Sequence, residues 1–193
     1  MDLSNKYWDA RYAGNDISWD IGKISAPLKL YIDQLKNKEF KILIPGCGNS
    51  YEAEYFLQNG FSNITIIDFS KIITNKLQEK LGRHLGKGLT IICADFFEHY
   101  GQYDLIIEQT FFCAIDPLLR KNYVNKVDEL LNENGKLVGL LFNRQFENNP
   151  PFGGNEEEYK VLFRDKFDIK RYNTEKWLLK TAKKYYSKDL TEV

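Results

Sequence analysis

Three short runs carry residue types whose spacing could do chemistry. Pro45-Gly-Cys-Gly48 closes an apolar stretch, Lys41-Ile-Leu-Ile-Pro45, that reads as a buried strand. Two glycines let the backbone turn tightly there and come close to a ligand. Asp68 stands 20 residues beyond Gly48, at the end of a second apolar run from Ile64. A carboxylate at that place accepts hydrogen bonds from ribose hydroxyls. Asp95 follows a third run, Leu89 to Cys93, where an acidic side chain can meet an adenine amino group. Phe96 beside it offers a ring or a backbone amide to the base. The set points to a nucleoside-containing cofactor; an ordinary tight turn is the plainer alternative for the glycines alone.

Tyr51 replaces the third glycine of a dinucleotide fingerprint. That weakens a pyrophosphate site, and a further carboxylate beside phosphate would be unhelpful. S-adenosylmethionine has adenosine without phosphate and carries a sulfonium cation. Aromatic faces stabilise such a cation by roughly 0.5–2 kcal/mol. Trp8, Tyr12 and Trp19 supply faces if the N-terminal segment folds over the site. Hydrophobic packing is the alternative for any one of them. A nicotinamide-dependent oxidoreductase predicts glycine at position 51 and no aromatic lid. A nucleoside-cofactor binder without catalysis stays open.

The elements that must position these residues alternate along the chain. The stretch Tyr7 to Pro27 holds Gly14 and Gly22 and does not read as one long helix. Leu28 to Leu35 has helical spacing. Strands are expected over 41–45, 64–68, 89–93, 103–108 and 136–142, with Asn134-Gly135 as a turn. Helices are expected over Ser50 to Asn59, from Ser70 to about Leu81, from Pro117 to about Leu131, and over Glu156 to Phe163. Two closing strand-like runs, 167–172 and 177–182, suggest a hairpin at the sheet edge. The fold class is α/β: one domain over 1–193, a doubly wound, mostly parallel, Rossmann-like sheet. An N-terminal aromatic lid (1–27) precedes the core (28–193). Ligands in such sheets bind beyond the carboxyl ends of the strands.

Composition excludes several other classes. Lys plus Arg and Asp plus Glu are both 27, so the formal net charge is zero and a general nucleic-acid binder is disfavoured. No apolar run reaches the roughly 18 residues of a membrane span. Cys47, Cys93 and Cys113 are an odd number, which argues against a secreted disulfide framework and for the cytoplasm. They read as small buried hydrophobes, with Cys47 alone near the site. His84 and His99 lie in no metal-ligating or catalytic spacing and read as surface residues. A monomer acting on a small molecule is expected.

The ordered series Tyr7-Trp-Asp-Ala-Arg-Tyr12, Ile17-Ser-Trp-Asp-Ile-Gly22, Ile44-Pro-Gly-Cys-Gly48, Ile67-Asp-Phe-Ser70, Ala94-Asp-Phe-Phe97, Phe112-Cys-Ala-Ile-Asp-Pro117 with Arg120, and Pro150-Pro-Phe152 resembles the thiopurine methyltransferase-type family. Within it the thiol and halide methyltransferases are the nearest. The resemblance implies that Trp8, Tyr12 and Trp19 wrap S-adenosylmethionine. Gly46, Asp68, Asp95 and Phe96 match its floor, ribose and adenine contacts. Gln109 matches a position lining the methionine end, where thiol methyltransferases carry Tyr. Arg120 matches an arginine near the active site of thiopurine enzymes, with a surface helix residue as the alternative. Tyr12 stands where the thiol enzymes carry Trp, and Phe152 where they carry Tyr. The loop Asn148 to Gly154 is expected to present the Phe152 ring to the acceptor.

The implied reaction moves a methyl group to a small thiol, thiocyanate, bisulfide or halide by in-line displacement. A larger heteroaromatic thiol or a metalloid oxyanion is the alternative acceptor. A nucleophile that arrives ionised needs no protein base, so no catalytic side chain is assigned. Holding the reactants about 3–3.5 Å apart in line suffices.

Overall fold

The computed structural model describes residues 2–172 and 178–183. Alternation of residues in β1 (Ile42–Pro45) sets the layering: Ile42 and Ile44 face one side, Leu43 the other, and all three are buried. β2 (Ile64–Asp68) and β4 (Tyr103–Gln109) repeat the pattern, with Ile64, Ile66, Leu105 and Ile107 on the first face and Ile67 and Ile106 on the second. A strand apolar on both faces must be covered twice. On the first face lie α2 (Ala26–Asp33), α3 (Tyr51–Gln58) and α4 (Lys71–Leu81), through Leu28, Ile32, Phe56, Ile73 and Leu77. On the second lie α5 (Arg120–Leu130) and α6 (Glu156–Phe163), through Tyr123, Val127, Tyr159 and Phe163. Each such side chain contributes about 1.5–3 kcal/mol on burial.

The sheet is completed by β3 (Leu89–Cys93), β5 (Leu131–Leu140), β6 (Phe167–Tyr172) and β7 (Leu178–Lys183). Its order is β3-β2-β1-β4-β5-β7-β6. The first five strands are parallel; β7 runs antiparallel to both β5 and β6. The expected edge hairpin is therefore present, with its second strand inserted against β5. Trp177, expected to open that strand, lies outside the described residues. The chain order reverses between β1 and β4, which places the switch point, and the natural ligand crevice, beyond their carboxyl ends.

Three expected boundaries around β5 and α5 differ by more than a residue. Residues 134–135 are not a free turn before β5. Tyr103 already pairs with Leu131, and the register slips between Tyr103 and Leu105, so the extra residues are taken up within the strand. Gly135 fits because a Cβ would meet Tyr103 O at 3.0 Å. The strand also ends at Leu140 rather than Phe142. Pro117 opens a 3₁₀ turn over Pro117–Leu119, and α5 proper starts at Arg120.

The N-terminal segment forms α1 (Asn5–Ala13) followed by irregular chain to Ser25. Its helix packs on α4. Asp9 accepts from the Ser70 hydroxyl and from the Ile72 amide, so one carboxylate sits at the α4 N-terminus, where backbone donors and the helix dipole favour it.

Candidate active site

The loop after β1 turns on two left-handed glycines, Gly46 (φ +53°) and Gly48 (φ +49°). A Cβ on Gly46 would stand 2.2 Å from the Phe111 ring, so glycine is required for the loop after β4 to close against it. Asp68 ties the β1 and β2 ends together. Its carboxylate accepts from the Gly48 amide at 3.1 Å and from the Ser70 amide at 3.0 Å. It is only 7% exposed, and burial raises it to about 6 despite those two donors. The remaining lone pairs can accept from a vicinal diol.

These loops frame a cavity of about 730 Å³ at the carboxyl ends of β1, β2, β3 and β4, within the range of small-molecule sites. Gly46, Asp68, Asp95, Phe96 and Gln109 all line it, as do Trp8, Tyr12 and Trp19. Eight residues expected from the sequence are thus brought to one wall. Asp95 caps the 3₁₀ turn Phe96–Glu98 by accepting from the Phe97 amide at 2.9 Å. Phe96 is buried and packs edge-on against Phe111 at 5.3 Å. The Gln109 Oε1 atom is buried and has no protein partner. A buried acceptor left alone costs free energy, so a ligand donor is what this atom suits.

The lid is held by contacts that no motif announced. Trp19 packs edge-to-face on Trp8 (5.5 Å) and Tyr12 (5.9 Å). The Arg11 guanidinium lies 4.9 Å over the Trp19 ring and pairs with Asp16 at 2.8 Å. Asp20 accepts from the Asn49 amide group and, at 3.1 Å, from the Tyr51 hydroxyl. Tyr51 therefore latches the lid to the first turn of α3. Tyr12 is half-buried beside Asp68, and desolvation followed by that carboxylate pushes its phenol far up, so it remains a neutral donor.

S-adenosylmethionine fits these groups. The Asp68 carboxylate suits the ribose hydroxyls, the orphaned Gln109 oxygen suits an ammonium donor, and the aromatic wall of Trp8, Tyr12 and Trp19 suits a sulfonium.

The two acceptor-side expectations are not met. Phe152 does not line the cavity; the loop contributes Pro150 and Pro151 instead, and Phe142 and Phe146 supply aromatic faces. The Phe152 backbone is drawn away, its amide donating to Cys113 O at 2.6 Å. Arg120 is neither a wall residue nor a surface residue. Its side chain is 5% exposed and pairs with Glu158 at 2.6 Å. It donates to the carbonyls of Gly153 (2.8 Å) and Phe152 (3.4 Å) and lies 4.8 Å over the Phe112 ring. Arg120 thus clamps the proline loop from behind.

Other expectations divide in the same way. Cys47 and Cys113 are buried and both line the cavity, so Cys47 is not alone there; Cys93 is exposed. Burial pushes the Cys113 thiol up to about 12, with Glu108 adding to it, and raises Cys47 strongly, so neither is a ready nucleophile. Among the described residues no histidine lines the cavity, and no acid, histidine and cysteine cluster has the form of a metal site. His99 is half-buried and shares a hydrogen bond with the Tyr103 hydroxyl at 2.7 Å. No described helix is long and apolar enough to cross a membrane.

The chain is 27% identical over 160 residues to a probable thiol methyltransferase 2 of Arabidopsis thaliana, covering 80% of this chain and 70% of that one. It is 24% identical to a thiopurine S-methyltransferase of Acinetobacter baylyi, covering 87% of each. A crystal structure of Burkholderia thailandensis 1,6-didemethyltoxoflavin-N1-methyltransferase, with bound 1,6-didemethyltoxoflavin and S-adenosylhomocysteine, shares the fold. The TM-score is 0.75 at 18% identity, over 94% of this chain and 87% of that one. The profile of the thiopurine S-methyltransferase family matches residues 3–191, and the chain belongs to that family of S-adenosylmethionine-dependent methyltransferases.

Proposed function

We propose that this chain methylates a small, soft nucleophile, a thiolate, thiocyanate, bisulfide or heavy halide, inside the cavity at the switch point. The observation that carries this reading is the absence of an idle base on the described cavity wall. Each lining carboxylate is engaged: Asp68 with two amides, Asp95 with Phe97, Asp116 with Leu118, and Asp20 with Asn49 and Tyr51. Glu52 is buried and accepts from the Ser25 backbone. These carboxylates are committed to holding loops and lid in place, and a nucleophile that arrives already ionised needs no base from the wall.

The bound cofactor supplies a sulfonium methyl group. The chain supplies place and dryness. Asp68, Asp95, Phe96 and Gln109 hold the nucleoside and methionine ends, and Trp8, Tyr12 and Trp19 close over the cation. Ile115, Leu119, Phe142, Phe146 and the two prolines form an apolar acceptor side that strips water from an incoming anion, at a cost that is least for a weakly hydrated one. The same apolar wall favours a second reading, a larger aromatic thiol.

The proposal extends to a cytoplasmic monomer acting on a small molecule. Three free thiols and zero net charge support it. A methyl-transfer screen over bisulfide, thiocyanate, iodide, chloride and aryl thiols, with headspace detection of volatile products, tests the reading. Turnover of chloride as efficient as that of bisulfide would refute it.

A further inference from the structure

Glu108 is the one deeply buried acid near the cavity that the reading above does not use. It is 1% exposed, on β4, one residue before Gln109. Its Oε1 atom accepts from the amides of Phe111 (2.8 Å) and Phe112 (3.0 Å), and its Oε2 atom accepts from the Tyr123 hydroxyl at 2.8 Å. The neighbouring strand makes room for it: Gly139 pairs with Glu108, and a Cβ there would lie 2.3 Å from the Glu108 Cβ.

The turn that these bonds hold is strained. Thr110 has φ +64°, a conformation that a β-branched residue adopts only when its surroundings impose it. From that turn Gln109, Thr110 and Phe111 reach the cavity wall, and Phe111 packs on Gly46. Tightening at Phe111 and Phe112 therefore fixes the orphaned Gln109 oxygen as well.

We propose that Glu108 is a positioning residue: its buried carboxylate imposes the Gln109–Phe112 turn and so aims Gln109 at the amino-acid end of the cofactor. This rests on the cofactor assignment above but not on any acceptor. The carboxylate is the effective form, because charge-assisted bonds are roughly twice as strong as neutral ones. Protonation would also require the Tyr123 hydroxyl to turn from donor to acceptor. The ionisable groups facing Glu108 are Tyr123 from α5 and Cys113 from the turn, both pushed up and neutral. Burial without a cationic partner places Glu108 at about 7, so its two forms can be compared in one buffer series.

The test is the Glu108→Gln variant, which keeps the shape but not the charge, measured against two ligands. S-adenosylhomocysteine carries the amino-acid end; adenosine does not. In the wild type the affinity ratio of the two should rise on crossing pH about 7 upward. Titration of Asp68 affects both ligands and cancels in the ratio. Glu108→Gln should weaken S-adenosylhomocysteine about tenfold at the alkaline end, leave adenosine within about twofold, and abolish the pH dependence of the ratio. Amide exchange of Phe111 and Phe112 in the ligand-free protein should quicken about tenfold in the variant, whatever the protein binds. Equal loss for both ligands would mean general damage to the fold and overturn the proposal. So would unchanged exchange at Phe111 and Phe112. A wild type that binds neither ligand would instead defeat the cofactor assignment, and the exchange rates would then decide Glu108 alone.

Discussion

Asp68→Asn removes the charge from the proposed ribose contact while keeping the side chain's shape. The Asp68 carboxylate makes two bonds to the protein, to Gly48 and Ser70, before any ligand arrives. Asp68→Ala would strand both amides at about 1–3 kcal/mol each and disturb the loop as well as the ligand. Asparagine keeps the shape and one acceptor oxygen, so one of the two amides, which bond separate carboxylate oxygens, loses its acceptor. It also loses the charge-assisted acceptance expected from the ribose hydroxyls, about 1.5–3 kcal/mol. At about 1.4 kcal/mol per decade, affinity for S-adenosylhomocysteine should fall about tenfold to a hundredfold.

The sign of the pH dependence follows from burial. Asp68 is raised from its ordinary 3.8 to about 6, chiefly by burial and further by Asp9. The folded chain therefore binds this proton more tightly than the unfolded chain does. The group's contribution to stability is fully present below its unfolded value and is lost as pH rises through about 6, at roughly 3 kcal/mol. A ribose diol donates to the ionised form and opposes that cost, so binding must favour deprotonation. Calorimetry on the wild type should show affinity weakening as pH falls through about 6, with proton release on binding near that pH. The Asp68→Asn protein should bind weakly, with a nearly flat profile in that window. Wild-type affinity that is flat through the same window, or an unchanged dissociation constant in the variant, would refute the ribose assignment.

Further outcomes test other walls of the site. Asp20→Ala removes the acceptor of both Asn49 and Tyr51; it should raise the KM for S-adenosylmethionine about tenfold, and Tyr51→Phe should do so by less, since each bond is worth about 0.5–3 kcal/mol. Deleting residues 1–19 should leave the α/β core folded by circular dichroism and abolish methyl transfer; full turnover in the truncated protein would show the aromatics to be packing only. Arg120→Met should raise the acceptor KM at least about tenfold by freeing the proline loop, while S-adenosylhomocysteine affinity stays within about threefold. Phe152→Ala should leave acceptor kinetics near wild type, because that ring does not line the cavity.

The core elements were legible because the central strands had to satisfy two faces at once. Ile42, Leu43 and Ile44 admit no register in which an apolar side chain meets water, so β1, β2 and β3 fell within a residue of expectation. Where boundaries moved, a local device had absorbed the chain. Asn134-Gly135 has the composition of a turn, and only the pairing of Tyr103 with Leu131 turns it into an irregularity inside β5. Register is a property of two strands, and one strand's sequence carries half of it.

The site divides along a similar line, between residues that line the cavity and residues that hold those residues. The place of Asp68 and Asp95 on the cavity wall was legible because a strand end is a position with a meaning in this fold. Asp9 and Asp20 were not, since their partners Ser70 and Tyr51 lie 61 and 31 residues away and no spacing rule joins the N-terminal segment to a later helix start. Tyr51 shows the cost of reading a motif by what it lacks: scored as a missing glycine, it is the phenol that latches the lid. Arg120 shows the converse. It stands in the right motif, yet its charge is spent on Glu158 and on two carbonyls behind the proline loop. A buried guanidinium so engaged shapes the acceptor side through Pro150 and Pro151 without reaching it. Specificity on that side is therefore a matter of where a loop is held, and a change behind the wall should alter acceptor choice as surely as a change on it.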